Sequence, residues 1–210
     1  MTNNQIIADI QEKIKNDEIV ILPTETIFGI LGNATSLKAA NKLNEIKQVQ
    51  KKRSFITIFA SKEQIKQYVD ISEKDLNLLE TFQDLSLTFI IDKLPETKIV
   101  SFNDKIAVRL ISNQHSLLQS VVDVTGPLFS TSCNYEDEPF ITEHFKILEF
   151  ATDNNLFLVN TSSDDLTSEE QVPSTIIDVS KRPYKFKRIG KNYNQIIERL
   201  DNLGIEYVKR

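Results

Sequence analysis

One cysteine, two histidines and no tryptophan in 210 residues leave little room for several kinds of chemistry. The single Cys133 excludes an intramolecular disulfide and fits a reducing cytosol. His115 and His144 stand without a cysteine cluster, so no metal-ligand set is predicted. No apolar run approaches the ~20 residues needed to cross a bilayer, so no membrane partner is expected. The N-terminal Met1-Thr2-Asn3-Asn4-Gln5 lacks the basic and apolar regions of a signal peptide, and a cytoplasmic protein is expected. A basic excess is missing too. With 25 Lys and Arg against 30 Asp and Glu, the net charge is −5, the reverse of a dedicated nucleic-acid binder.

Any phosphate binding must therefore be local. Two basic clusters are available: Lys47, Lys51, Lys52 and Arg53, and Lys181, Arg182, Lys185, Lys187 and Arg188. Either one alone reads as a solvated charged surface. Glycine is scarce, and four of the five (Gly29, Gly32, Gly126 and Gly190) lie beside polar segments, as do Pro23, Pro127, Pro139 and Pro173. That concentration favours a constructed site over ordinary turns. A hydrophobic fraction of 40% and a charged fraction of 26% are those of an ordinary globular protein, expected to form one domain over residues 1–210.

Ile6, Ile7, Ile10 and Ile14 fall at helical spacing, predicting a helix over 5–15. The apolar run 19–22 follows as a buried strand. Ser36 is a predicted N-cap for a helix carrying Leu37, Ala40, Leu43 and Ile46 on one face. Ser61 with Gln64 and Ser72 with Asp75 predict capping boxes. Strands are predicted over 55–59, 87–91, 106–110, 128–131, 156–159, 175–179 and 184–189. Helices are predicted over 116–122, from a Thr142 cap to 150, and over 194–203. Residues 161–170 read as a flexible loop. Strands and helices mixed throughout argue for an α/β fold with a mixed sheet.

The first strand runs into Leu22-Pro23-Thr24-Glu25-Thr26-Ile27-Phe28-Gly29, polar groups at a strand end, where α/β proteins usually seat ligands. This stretch resembles the opening signature of the YrdC-like threonylcarbamoyl-AMP synthases. Four further segments match in order. Lys47 to Arg53 is similar to the family's basic loop, with Val49 in place of its first Arg, and Ala107-Val108-Arg109-Leu110 to its Arg-bearing strand. Ser132-Cys133-Asn134 stands for Ser-Ala-Asn, with Thr142 at the family's spacing beyond it. Pro173-Ser174-Thr175-Ile176-Ile177-Asp178 matches Ser-Thr-x-x-Asp, with Arg188 following. Asp84-Leu85-Ser86 lacks the family's usual Pro-Gly-Pro. The match reaches from the first helix to about Gly190.

The resemblance implies a single-domain, open, twisted mixed sheet with flanking helices around a basic cleft. It implies synthesis of threonylcarbamoyl-AMP from L-threonine, bicarbonate and ATP (with Mg2+) for the threonylcarbamoyl modification of adenosine in tRNA. The product would pass to a separate transferase complex. Arg109 would fork onto the threonine carboxylate, with Thr26, Ser132 and Ser174 hydrogen-bonding the amino acid. Lys47, Arg53, Lys105, Asn134, Thr142 and Arg188 would bind ATP, with Lys47 and Arg53 assisting phosphoryl attack. Read singly, each hydroxyl is equally a strand-end group bonding its own backbone. Glu25 is either a substrate or cation ligand or a solvated turn residue, and Cys133 reads as a small buried side chain. Two rivals stay open: a tRNA- or double-stranded-RNA-binding module, and a paralogue that binds nucleotide without turning it over, which Val49 suggests. A carbamoyl-transfer enzyme of related fold is weaker, because such enzymes usually carry further domains.

Overall fold

The computed structural model describes residues 2–112, 116–159 and 171–209; His115 and the loop predicted over 161–170 lie outside them. Thr2 opens helix α1 (Asn3–Lys15) with a capping box closed by Gln5, so the helix starts before the apolar stripe that announced it. Strand β1 (Val20–Pro23) turns back on β2 (Phe28–Asn33) as an antiparallel hairpin. Sequence reading missed β2, because almost every residue in it is buried and no alternation marks it.

Ser36 caps α2 (Leu37–Ile46), accepting from the Ala39 N–H as predicted. Leu37 leaves the predicted apolar face and is 55% exposed, while Ala39, Ala40, Leu43, Asn44 and Ile46 are buried. Then come β3 (Ile56–Phe59), α3 (Lys62–Tyr68), α4 (Glu73–Thr81), a short 3-10 turn (Gln83–Leu85), β4 (Thr88–Asp92), β5 (Lys105–Leu110), α5 (Ser116–Thr125) and β6 (Leu128–Ser132). Both serine caps form. Neither predicted box closes, because Gln64 turns its side-chain oxygen to the Ala60 N–H and the Asp75 carboxylate accepts from Ser72 Oγ instead of the Ser72 N–H.

The chain closes with α6 (His144–Asp153), β7 (Phe157–Leu158), β8 (Ile176–Asp178), β9 (Tyr184–Arg188), α7 (Tyr193–Asn202) and β10 (Tyr207–Val208). Thr142 is not the cap of α6. Glu143 holds that position, and its side chain pairs with Lys146 instead of the helix N–H groups.

Ten strands form one mixed sheet in the order β10-β9-β8-β4-β5-β3-β6-β2-β1-β7. Residues from α2, α3, α4, α6 and α7 pack on one face with Phe59, Phe89, Val108, Phe129 and Phe186. On the other face α1 and α5 cover Val20, Leu31, Ile58 and Leu128, which belong to the β1, β2, β3 and β6 side of the sheet. Beyond that partial layer lies the site.

Candidate active site

The floor of the site is made by a change in side-chain type along strands whose alternation is unbroken. On β6, Leu128 packs under the α1–α5 layer, while Ser130 and Ser132, on the same face, line a cavity of about 370 Å³. Leu31 and Gly29 of β2, and Ile111 and Arg109 at the end of β5, repeat the exchange, while on β3 Ile58 stays in the packed layer and Ile56 reaches the cavity without a change of type. Two residues along each strand, a packing surface becomes a binding surface.

Thr24 and Thr26 enter from the β1–β2 turn. Thr24 Oγ1 donates to the Ile27 carbonyl at 2.7 Å, closing the turn, and shares a 3.1 Å contact with Thr26 Oγ1. A Cβ at Gly29 would lie 2.9 Å from Thr24 Cγ2 and 3.2 Å from Ser130 Oγ, so only glycine lets the turn sit this close to the floor.

Arg109 is buried in the cavity wall and, among the described residues, its Nε has no hydrogen-bond partner. Arg188 faces the same cavity, donating from Nε to the Ser174 carbonyl at 2.8 Å and from Nη2 to Ser174 Oγ at 3.0 Å. Ser174 Oγ also meets Thr88 Oγ1 at 2.9 Å. Gly190 permits this arrangement, since a Cβ there would fall 2.1 Å from the Pro173 carbonyl oxygen. Burial pushes both guanidinium pKa values down. Arg188 falls to about 10, with Arg109 adding to the effect, while Glu25 partly offsets the shift at Arg109. Two desolvated cations on one cavity make it strongly attractive to an anion.

Lys47 is fully buried one layer behind the opposite wall. Its Nζ donates to the Ser132 carbonyl at 2.9 Å and to Asn134 Oδ1 at 2.6 Å. Burial, then the nearby Arg53, pushes its pKa down to about 8. Asn134 Oδ1 accepts a second bond from Ser132 Oγ at 2.6 Å, and Nδ2 donates to the Tyr135 and Glu138 carbonyls at 2.7 and 2.8 Å. All four hydrogen-bonding positions of that amide are used within the protein.

Of the basic loop, Arg53 lines the cavity. Its backbone is clamped by the Asn44 side chain, which donates to the Arg53 carbonyl and accepts from its N–H. Lys52 turns to Asn41 Oδ1 at 2.7 Å, and Lys51 is exposed.

Glu25 is neither a solvated turn residue nor directed into the cavity. Its carboxylate accepts from Ser86 Oγ at 2.7 Å and from the Ser112 N–H, and its carbonyl accepts from Lys191 Nζ at 2.7 Å. Ser86, where the family's Pro-Gly-Pro is missing, sits in the left-handed region at φ 51°. Lys105 stands apart from the cavity lining, paired with Asp178 at 2.8 Å and Ser180 at 2.7 Å. Thr142 is exposed and likewise outside that lining. Cys133 is buried, and burial pushes its thiol up to about 12, so it offers no nucleophile near neutral pH.

Sequence reading missed three members. Thr88 supports Ser174, Asn44 holds Arg53, and Glu136 joins the loop to the turn after β6. Asn44 alone left a signal: a polar residue four positions after Ala40, inside an apolar stripe.

The Sua5/YciO/YrdC family model, described as telomere recombination, matches residues 12–190. A threonylcarbamoyl-AMP synthase of Enterobacter sp. (strain 638) is 32% identical over 148 residues, covering 66% of this chain and 77% of that protein. Among solved structures, P. abyssi Sua5 complexed with L-threonine aligns with a TM-score of 0.81 at 22% identity. The alignment covers all of this chain, which spans 60% of the Sua5 length. E. coli YciO aligns with a TM-score of 0.74 at 16% identity, covering 90% of both chains. Motifs and family model agree: this chain belongs to the Sua5/YciO/YrdC family.

Proposed function

We propose that the protein is an L-threonylcarbamoyladenylate synthase, a nucleotidyltransferase acting on L-threonine, bicarbonate and ATP, the last entering as its magnesium complex. The threonine amine attacks the bicarbonate carbon, forming a C–N bond and releasing water. A carbamate oxygen then attacks the α-phosphorus, the bond to the bridging oxygen breaks, and pyrophosphate leaves. No protein nucleophile is needed. The protein's part is to align small anions and neutralise charge.

The observation that carries this reading is Arg109, buried with an Nε that has no partner among the described residues, in a cavity rimmed by the hydroxyls of Thr26, Ser132 and Ser174. A guanidinium so placed suits a carboxylate fork, and the hydroxyls suit a substrate with a hydroxyl of its own. The similar synthase from Enterobacter and the L-threonine complex of P. abyssi Sua5 support the same substrate class. Arg53 and Arg188 would meet the phosphates, with Lys47 and Asn134 organising the wall behind them. The product would serve a separate tRNA-modifying transferase in the cytoplasm. Lys105 and Thr142, away from the cavity, are given no direct contact.

Incubation with ATP, L-threonine and 13C-bicarbonate should yield labelled threonylcarbamoyl-AMP by mass spectrometry. ATP binding without that product would favour the second reading, a nucleotide-binding paralogue marked by Val49 in place of the loop arginine.

A further inference from the structure

The Glu136 carboxylate stands where the basic loop meets the turn after β6. Its Oε2 accepts from the Gln50 N–H at 3.0 Å, and its Oε1 lies 3.7 Å from Arg53 Nη1. The Glu136 N–H donates to the Lys47 carbonyl at 2.8 Å, so one residue engages three points of the loop. Arg53 cannot drift with its partner, because Asn44 fixes its backbone from both sides. Its guanidinium therefore moves about a fixed Cα. A backbone N–H and a guanidinium converging on one carboxylate form the kind of donor set that also receives a phosphate.

We propose that Glu136 is an internal counter-anion of the nucleotide subsite, which a triphosphate must displace from Arg53 and the Gln50 N–H before ATP is fully held. The inference rests on the nucleotide reading above. It makes Glu136 a positioning residue that acts through Arg53 and touches no reacting atom. It also assigns a role to a side chain that would otherwise be a simple brace. A brace needs an acceptor oxygen at this point, whereas a competitor needs the charge. Glu136→Gln separates the two, because it keeps an oxygen for Gln50 and removes the charge.

Calorimetry should show ATP binding tighter to Glu136→Gln than to wild type by roughly two- to fivefold, the range of a half-exposed ion pair. The gap should narrow as salt rises. L-Threonine affinity and the melting temperature should stay at wild-type values. In an Arg53→Ala background the same substitution should leave ATP affinity unchanged. An equal gain with and without Arg53 would mean a diffuse charge effect and overturn the inference. So would weaker ATP binding in Glu136→Gln, and wild-type binding there with weaker binding in Glu136→Ala would be the mark of a brace. Wild-type ATP affinity in Glu136→Gln would sink this inference and leave the nucleotide reading intact. L-Threonine binding with no ATP binding to the wild type would sink both.

Discussion

Arg109 and Lys47 are buried cations on two sides of one cavity, but their hydrogen bonds are disposed in opposite ways. Among the described residues, Arg109 Nε has no partner, and Arg188 beside it adds a second depressed guanidinium. Lys47 instead spends its ammonium on Ser132 and Asn134, and Arg53 and the Gln50 N–H share Glu136. On the first side, among the described residues, Arg109 Nε offers a donor with no internal bond to break, while Arg188 is already held by Ser174. The second must trade internal partners for external ones. On the proposed reading, carboxylate recognition would be built into the sheet, whereas phosphate recognition would depend on a loop that already has internal partners.

The largest expected effect tests the open side. Arg109→Ala should remove threonine-dependent turnover, a loss of about 2–5 kcal/mol for a truncated buried charge pair. Because burial disfavours the charged form of Arg109, and Arg109 in turn depresses Arg188, the melting temperature should hold or rise even as activity falls. Unchanged threonine kinetics would make Arg109 structural. Next come Ser132→Ala and Ser174→Ala, which should each cut selectivity for threonine over valine about three- to tenfold, the net worth of one hydrogen bond. A wild-type ratio in both would remove these hydroxyls from specificity.

On the satisfied side, Val49→Arg should lower KM for ATP by restoring a cation near the nucleotide, with a smaller effect on KM for threonine. An unchanged KM for ATP would show that Arg53 already suffices. Lys47 offers a pH test. Its depressed pKa means that between about pH 8 and its ordinary 10.5 the folded protein holds fewer protons than the unfolded chain, so this group's contribution to stability rises with pH across that window. Chemical denaturation should show that rise reduced in Lys47→Met; an identical pH profile would contradict the depressed pKa.

The smallest effect concerns the covered face. Thr57 Oγ1 on β3 is, among the described residues, a second buried polar atom without a partner, directed by strand alternation to the face of Phe55 and Phe59. Thr57→Val should raise stability by about 1 kcal/mol, or the melting temperature by roughly 2–4 °C, and leave kinetics alone. An activity change would join Thr57 to the site after all.

Much of this was legible in the amino-acid order. Strands such as β4 and β5 announce themselves by apolar runs and Thr26 by its place at a strand end, whereas Arg109, Ser132 and Ser174 stand out only through the family resemblance of their segments. β2 did not, since a strand buried on both faces carries no period, and two-residue β10 is too short to carry one. Lys47 is picked out by its match to the family's basic loop, yet that match cannot tell a lysine facing a ligand from one sealed behind the wall. Glu136 was hidden in the acidic run Glu136-Asp137-Glu138, where only the fold distinguishes a carboxylate on Arg53 from one in water.

Pyrophosphate release from ATP with bicarbonate, measured with and without L-threonine, tests the central claim most directly. The account predicts release that depends on L-threonine, falls when valine is substituted and is lost in Arg109→Ala. Release that is indifferent to L-threonine, or absent at saturating ATP, bicarbonate, magnesium and threonine, would contradict it.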